Sequence, residues 1–260
     1  MSGVRELFEH TWPVGNSGYL RPRKKLLPDV FCSTATLPRA LDVANELYLA
    51  LEDRGHRVLL APAGQYSHRP DVDHRAHPPN QMDYYSRDRW SPARPTVVFI
   101  GTVAIGLTLY ELSRRTEVRY VNRKYVPLTA PPAPSGRRSQ DWSSWTTHHD
   151  LPTGRLVLRA FSPYGTATWS QQWVELKAGD LCSRSKRIAK ELEAAAPVIS
   201  ALVEEGQRQA EIERERWALQ RREHARQEAE RRRVEALKDS REQLLAIVDK
   251  WALARQIETF

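Results

Sequence analysis

The chain has 260 residues, with 40 Lys+Arg against 32 Asp+Glu for a formal charge of +8 and 40% apolar residues. At roughly 100 to 200 residues per domain this allows one or two domains and argues against wholesale disorder. Cys32 and Cys182 have neither Cys-x-x-Cys nor metal-ligand spacing, which excludes a disulfide scaffold and predicts a reduced, cytoplasmic protein. The most apolar run, 97–110, is shorter than the about 20 residues a membrane helix needs, and 1–7 do not form a signal peptide, so no membrane partner is expected.

Residues 1–35 carry Pro13, Gly15, Gly18, Pro22 and Pro28 around the basic run Arg21, Arg23, Lys24, Lys25. They show no helical period and are read as a linker or arm. An α+β domain is expected over 36–178. It opens with a helix over 37–54, where Leu41, Ala44, Leu47, Tyr48 and Leu51 recur at helical spacing, Pro38 suits a first turn and Gly55 suits the left-handed stop. A short strand over 56–60 follows. Residues 62–95, crowded with Pro, His, Asp, Arg and Tyr, show no period and predict a long loop. Strands are then expected at 96–100 and 104–112, and at 117–121 and 124–126 around Asn122-Arg123. Pro127 to Gly154 reads as a flexible excursion. A last hairpin, 155–161 with 166–173, turns at Ser162-Pro163-Tyr164-Gly165, whose Pro and Gly fit a type I turn.

The expected sheet is small and mostly antiparallel. From 179 to 260 the pattern is helical, with an apolar stripe of Ile188, Leu192, Ala195 and Ile199 and a kink expected at Pro197. Residues 207–233 are almost all Glu, Arg, Gln and Ala, and pairs such as Glu211/Arg214 and Glu228/Arg232 support a solvated helix by about 0.2 to 0.5 kcal/mol each. Asp239-Ser240 is taken as a break, with Ser240 and Gln243 capping a final helix that carries Leu244, Ile247, Val248, Trp251 and Ile257. The two helices are expected to form a coiled-coil-like hairpin with Trp251 buried.

No phosphate loop, nucleophile elbow or zinc-protease motif is present; Leu107-Thr108 stands where a phosphate loop requires Lys-Ser/Thr. Two weaker groups of residues have metal chemistry. His68, Asp71, Asp73, His74 and His77 place five nitrogen and oxygen ligands within ten positions, yet Arg69 and Arg75 among them favour a solvated ion-pair loop over a Zn²⁺ or Mn²⁺ site. Asp150 with Glu175 and Lys177 has the carboxylates and ammonium of a Mg²⁺-dependent nuclease, although Glu-x-Lys is common by chance. No cofactor is expected. Of the basic segments, Arg21, Arg23, Lys24 and Lys25 are the candidate phosphate contacts, since Arg184–Lys190 and Arg231–Arg233 lie in helices and Arg137-Arg138 in the flexible excursion. Trp142, Trp145, Trp169 and Trp173 are read as core before a base-stacking platform.

The segments Arg94-Pro-Thr-Val-Val-Phe-Ile-Gly-Thr-Val-Ala-Ile-Gly-Leu-Thr-Leu-Tyr-Glu, Glu117-Val-Arg-Tyr-Val-Asn, Ser162-Pro-Tyr-Gly and Leu202-Val-Glu-Glu-Gly-Gln-Arg-Gln-Ala-Glu-Ile-Glu-Arg resemble a family of largely uncharacterised bacterial proteins. Many of these are regulator-like, with an α+β region and a charged helical tail after an amino-terminal helix-turn-helix. The resemblance covers about residues 25–260, where no helix-turn-helix is read. It implies a carboxy-terminal portion or short form and transfers no catalytic or DNA-reading residue. The expected function is a non-enzymatic regulatory or assembly domain of a bacterial DNA-associated protein. It would bind nucleic acid weakly and without sequence preference, and a protein partner or its own copy through the helices. A metal-dependent nuclease or hydrolase is the alternative, and a structural coiled-coil adaptor the third reading.

Overall fold

The computed structural model describes residues 2–11, 18–64, 67–76, 90–121, 124–129 and 146–258. Two units result, Met1–Glu204 and Glu205–Phe260. The described elements are α1 (Ser2–Glu9), β1 (Val30–Phe31), α2 (Leu37–Glu52), β2 (Arg57–Leu60), β3 (Thr96–Ile100), β4 (Val103–Val121), β5 (Lys124–Pro127), β6 (Thr146–Phe161), β7 (Ser170–Val174) and α3 (Asp180–Glu258). This is the α+β class expected, with a mostly antiparallel sheet and a long carboxy-terminal helix. Pro38 stands in the first turn of α2, and Gly55 takes φ +82° three residues after its end, a conformation that costs a side chain about 1 kcal/mol or more.

The long strand β4 organises the sheet, whose order is β2-β3-β4-β6-β7. One edge of β4 is shared in turn by β3, by β1 in parallel at Val30↔Leu109, and by β5; the other is taken by β6 from Gly106↔Phe161 to Arg119↔Thr146. Cross-strand partners share a face. Leu107, Leu109 and Glu111 therefore lie with Leu156, Leu158 and Ala160 on one face, where Trp173 reaches Glu191 of α3. The opposite face carries Thr108 and Tyr110 beside Arg159 and Val157. Its cover is irregular chain: Asp29 bonds Thr108, and the Asp71 carbonyl accepts from Arg159.

Five expectations are corrected. Residues 1–35 are not a free arm, because α1 buries Phe8 against Trp90, Tyr19 and Leu27 are buried, and Val30–Phe31 extends the sheet. The strands expected at 104–112 and 117–121 are one, since nothing in Ser113-Arg-Arg-Thr116 interrupts an extended chain; their turn, Asn122-Arg123, lies outside the described residues. Residues 146–154 belong to β6 and are not an excursion. Thr153, Gly154 and Arg155, between Pro152 opposite Ser113 and Leu156 opposite Glu111, form an irregularity in that strand, with Gly154 at φ +78°, so the Pro and Gly that suggested a loop instead stand at a bulge. The last hairpin pairs as expected, but its strands end at Phe161 and resume at Ser170, closed by the Ser162 N–H donating to the Trp169 carbonyl. Finally, α3 runs unbroken through Asp239-Ser240. Neither residue reverses a chain as Gly or Pro would, and each costs a surface helix no more than about 0.7 kcal/mol. No helical hairpin forms, and Trp251 is 77% exposed.

Gly106 sits where β4 crosses the ring of Phe161, and a Cβ there would lie 2.2 Å from Phe161 Cε2. Gly106→Ala should therefore destabilise the protein by about 1–3 kcal/mol in urea titration. Adding Phe161→Leu should recover part of that loss, because the two sites share one space.

Candidate functional site

The His/Asp loop is held to the sheet by backbone and ring contacts. The His74 ring is buried edge-on against Tyr19 and Phe31, with centroids 4.9 and 5.4 Å away, and its carbonyl accepts Ser113 N–H at 2.7 Å. Asp73 is bonded by Arg75, whose Nη2 donates at 2.6 Å. His68 is exposed, and its N–H donates to the Pro163 carbonyl. Asp71 is exposed, and His77 lies outside the described residues. Among the described residues no three His, Cys, Asp or Glu side chains gather as a cation site. Of the two Arg neighbours within the loop, Arg75 holds Asp73 and Arg69 reaches out to Asp29, and the loop's two described histidines have separated into one packed and one solvated.

The second candidate is also dispersed. Glu175 is buried and its carboxylate accepts from Leu156 N at 3.0 Å and Gly179 N at 2.6 Å, with the Arg39 guanidinium beside it as an ion pair, Nε 3.3 Å away but not hydrogen-bonded. Asp150 pairs with Arg115 across the β4–β6 ladder. Six strand positions separate it from Leu156, on the order of 20 Å of extended chain. Lys177 is exposed in the turn before α3. The carboxylate that suggested a nuclease is therefore the clip that closes β7 onto the start of α3, and Asp150 is not its partner.

Sequence reasoning missed two related clips. Asp29 is fully buried and takes a bidentate guanidinium from Arg69, with Nε at 2.6 Å and Nη2 at 2.8 Å, and a hydroxyl from Thr108 at 2.8 Å. Glu111 is equally buried and accepts Ser33 N and Gly154 N, both at 2.7 Å, while Arg39 donates to the Gly154 carbonyl. Charge-assisted bonds of this kind are about twice as strong as neutral ones and tolerate burial only when complete. The one local hint was Arg69 inside the loop, an odd choice for a metal site.

The basic run is integrated into the body. Arg23 N donates to the His10 carbonyl, Pro22 bridges Thr11, and Lys25 donates to the Ser91 carbonyl at 3.1 Å with its ammonium 5.6 Å from the Trp90 ring. Arg23, Lys24 and Lys25 remain exposed and Arg21 half-buried. Arg137, Arg138, Trp142 and Trp145 lie outside the described residues, whereas Trp173 is buried in the core and Trp169 half-buried against it.

In the second unit, every described side chain from Glu211 to Ala252 except Ala218 is exposed. Val234, Leu237, Leu244, Val248 and Trp251 are among them, at 45, 64, 61, 60 and 77%. With Arg241 they follow a 3-4-3-4-3 spacing, the seam of a heptad repeat. No known protein family, curated protein or solved structure matches this chain.

Glu193 on α3 bonds Arg54, with Nε at 2.8 Å, and His56, with Nε2 at 2.7 Å. The guanidinium first, and the imidazole second, hold its carboxyl down from 4.5 to about 2. A depressed carboxyl stabilises the fold fully above its unfolded value and loses that contribution as pH falls through the folded one. The stability difference between the native chain and Glu193→Gln, measured by thermal unfolding, should be constant above pH 4.5 and shrink as pH falls towards 2.

Proposed function

We propose that this chain is a non-enzymatic assembly or regulatory domain of a bacterial DNA-associated protein, and that it assembles by pairing its carboxy-terminal helix with the same helix of a second copy. The observation that carries this reading is the exposed seam Val234, Leu237, Leu244, Val248, Trp251. Fully burying a Val or Leu side chain gains about 1.5–3 kcal/mol, and a second seam of the same spacing provides the holes that receive these side chains. Charge does not oppose the pairing, since residues 205–260 hold 13 Lys+Arg against 12 Asp+Glu.

Arg241 favours one orientation. In a parallel, in-register pair it would face its own copy across the seam, and like charges in contact are destabilising. Antiparallel pairing about the point between Glu242 and Gln243 sets it opposite Leu244, with Leu237 opposite Val248 and Val234 opposite Trp251. The proposal is therefore an antiparallel pair.

The nucleic-acid part of the reading draws on the family resemblance and on charge. Residues 1–204 hold 27 Lys+Arg against 20 Asp+Glu, so nearly all of the positive excess lies in the body. Such an excess attracts phosphate by counterion release without reading bases.

Sedimentation equilibrium tests the assembly. The intact chain should self-associate, and Leu244→Glu with Val248→Glu should weaken association by at least about a hundredfold, the equivalent of about 3 kcal/mol, with the helical circular dichroism of the body retained. A salt series of duplex DNA binding tests the second part. Replacing Arg21, Arg23, Lys24 and Lys25 by Ala should flatten the slope of log K against log salt by up to about 3 to 4 units. Self-association without DNA binding at low salt would leave the structural adaptor.

A further inference from the structure

A cleft of about 340 Å³ lies beside the β6–β7 connection, walled by Pro70, Tyr164 and Trp169 and lined by His68, Arg159 and Ser162. That volume is within the range of small-molecule sites. Its polar groups are unbalanced. Among the described residues no Asp or Glu side chain lines it, whereas guanidinium, imidazole and hydroxyl groups do.

Arg159 is the centre of the imbalance. Arg39, Arg54, Arg69 and Arg75 each hold a carboxylate, from Glu175, Glu193, Asp29 and Asp73 respectively. Arg159 holds none among the described residues. Its Nη1 donates to the Asp71 carbonyl at 3.2 Å, and its Nε is buried without an acceptor, as are those of Arg39 and Arg119. With Nε out of reach and Nη1 engaged, Nη2 is the donor left for a ligand. A guanidinium N–H to a carboxylate or phosphate oxygen is a charge-assisted bond, about twice as strong as a neutral one. Ser162 adds to the donor set, because its buried oxygen accepts the Tyr164 N–H at 3.3 Å and leaves its own proton to give.

We infer that this cleft binds a small ring-bearing oxyanion, a phosphate monoester or a carboxylate, with the charged group on Arg159 and the ring between the walls of Trp169, Tyr164 and Pro70. The cleft exceeds what a bare ion fills, and the aromatic and proline walls suit a flat apolar body. This inference does not rest on helix pairing: the lining residues all belong to the first unit.

Isothermal titration of the full chain with phenyl phosphate, benzoate and benzyl alcohol tests it. At least one of the two anions should bind one per chain, and benzyl alcohol at least about tenfold more weakly, as expected when a charge-assisted pair is lost. Whichever anion binds more tightly assigns the site to phosphate or to carboxylate. Arg159→Gln should weaken the anion by at least about tenfold. Thr168→Trp, at an exposed lining position, should fill the cleft and abolish binding while leaving Arg159 in place. The pairing variant with Leu244→Glu and Val248→Glu should bind the anion as the native chain does. No binding of either anion at millimolar concentration, equal binding of benzyl alcohol, or undiminished binding in both cleft variants would overturn the assignment.

Discussion

A helix satisfies its own backbone, but it cannot remove an apolar stripe from water. Residues 205–258 of α3 meet the first requirement by themselves, through the 3.6-residue hydrogen-bond ladder and ion pairs such as Arg208 with Glu205 at 2.7 Å. They fail the second, because the side chains that would form a seam are exposed from Val234 to Trp251. Large contiguous apolar surfaces left exposed in this way are, as a class, those that mark interaction sites. The composition of the tail is compatible with this: residues 205–260 are near neutral, and apart from Arg231-Arg232-Arg233 the arginines that precede the seam are interleaved with glutamates.

In the first unit the dominant constraint is the burial of three carboxylates. Asp29, Glu111 and Glu175 are each at most 1% exposed, and each accepts a hydrogen bond from a segment distant in sequence. Asp29 fixes the amino-terminal segment and the His/Asp loop to one face of the sheet through Thr108 and Arg69. Glu111 fixes the turn before α2 to the bulge of β6, and Glu175 fixes that side of β6 to the start of α3. Arg39 of α2 joins the last two by donating to the Gly154 carbonyl and pairing its charge with Glu175. Removing one partner from such a buried pair costs about 3–5 kcal/mol, which is why these residues read as architecture before chemistry. Arg159, on the same face as Asp29, pairs with no carboxylate among the described residues.

Periodicity made much of this fold legible. The helix of Leu41, Ala44, Leu47 and Leu51 follows from the regular spacing of its buried face, the strand of Val97 to Ile100 from its β-branched apolar run, and the hairpin around Ser162-Pro163 from its turn residues. The amino-terminal 35 residues were opaque for the opposite reason. Their buried Phe8, Tyr19, Leu27 and Phe31 have no common period, since they sit on a short helix, on irregular chain and on a two-residue strand. Pro152 and Gly154 misled because a bulge and a loop use the same residues. Asp239-Ser240 misled because a capping box specifies a helix start only when the preceding chain is not already helical. Of the candidate chemistry, Glu175 was singled out for its charge, but charge in a sequence does not show whether a carboxylate faces a metal or hydrogen-bond donors. The role of Arg159 was not visible at all, as it depends on which arginines find carboxylates across the fold.

The central claim is the antiparallel pairing of the tail helices, and an interchain distance addresses it most directly. A spin label placed at Gln227→Cys, in a chain carrying no other cysteine, lies 15 to 16 residues from the centre of the proposed pair. At 1.5 Å per residue the two labels of an antiparallel pair should be about 45–50 Å apart. A distance of about 10–20 Å would show parallel helices instead, and the absence of any interchain distance at concentrations well above those of the assembly measurement would contradict self-pairing altogether.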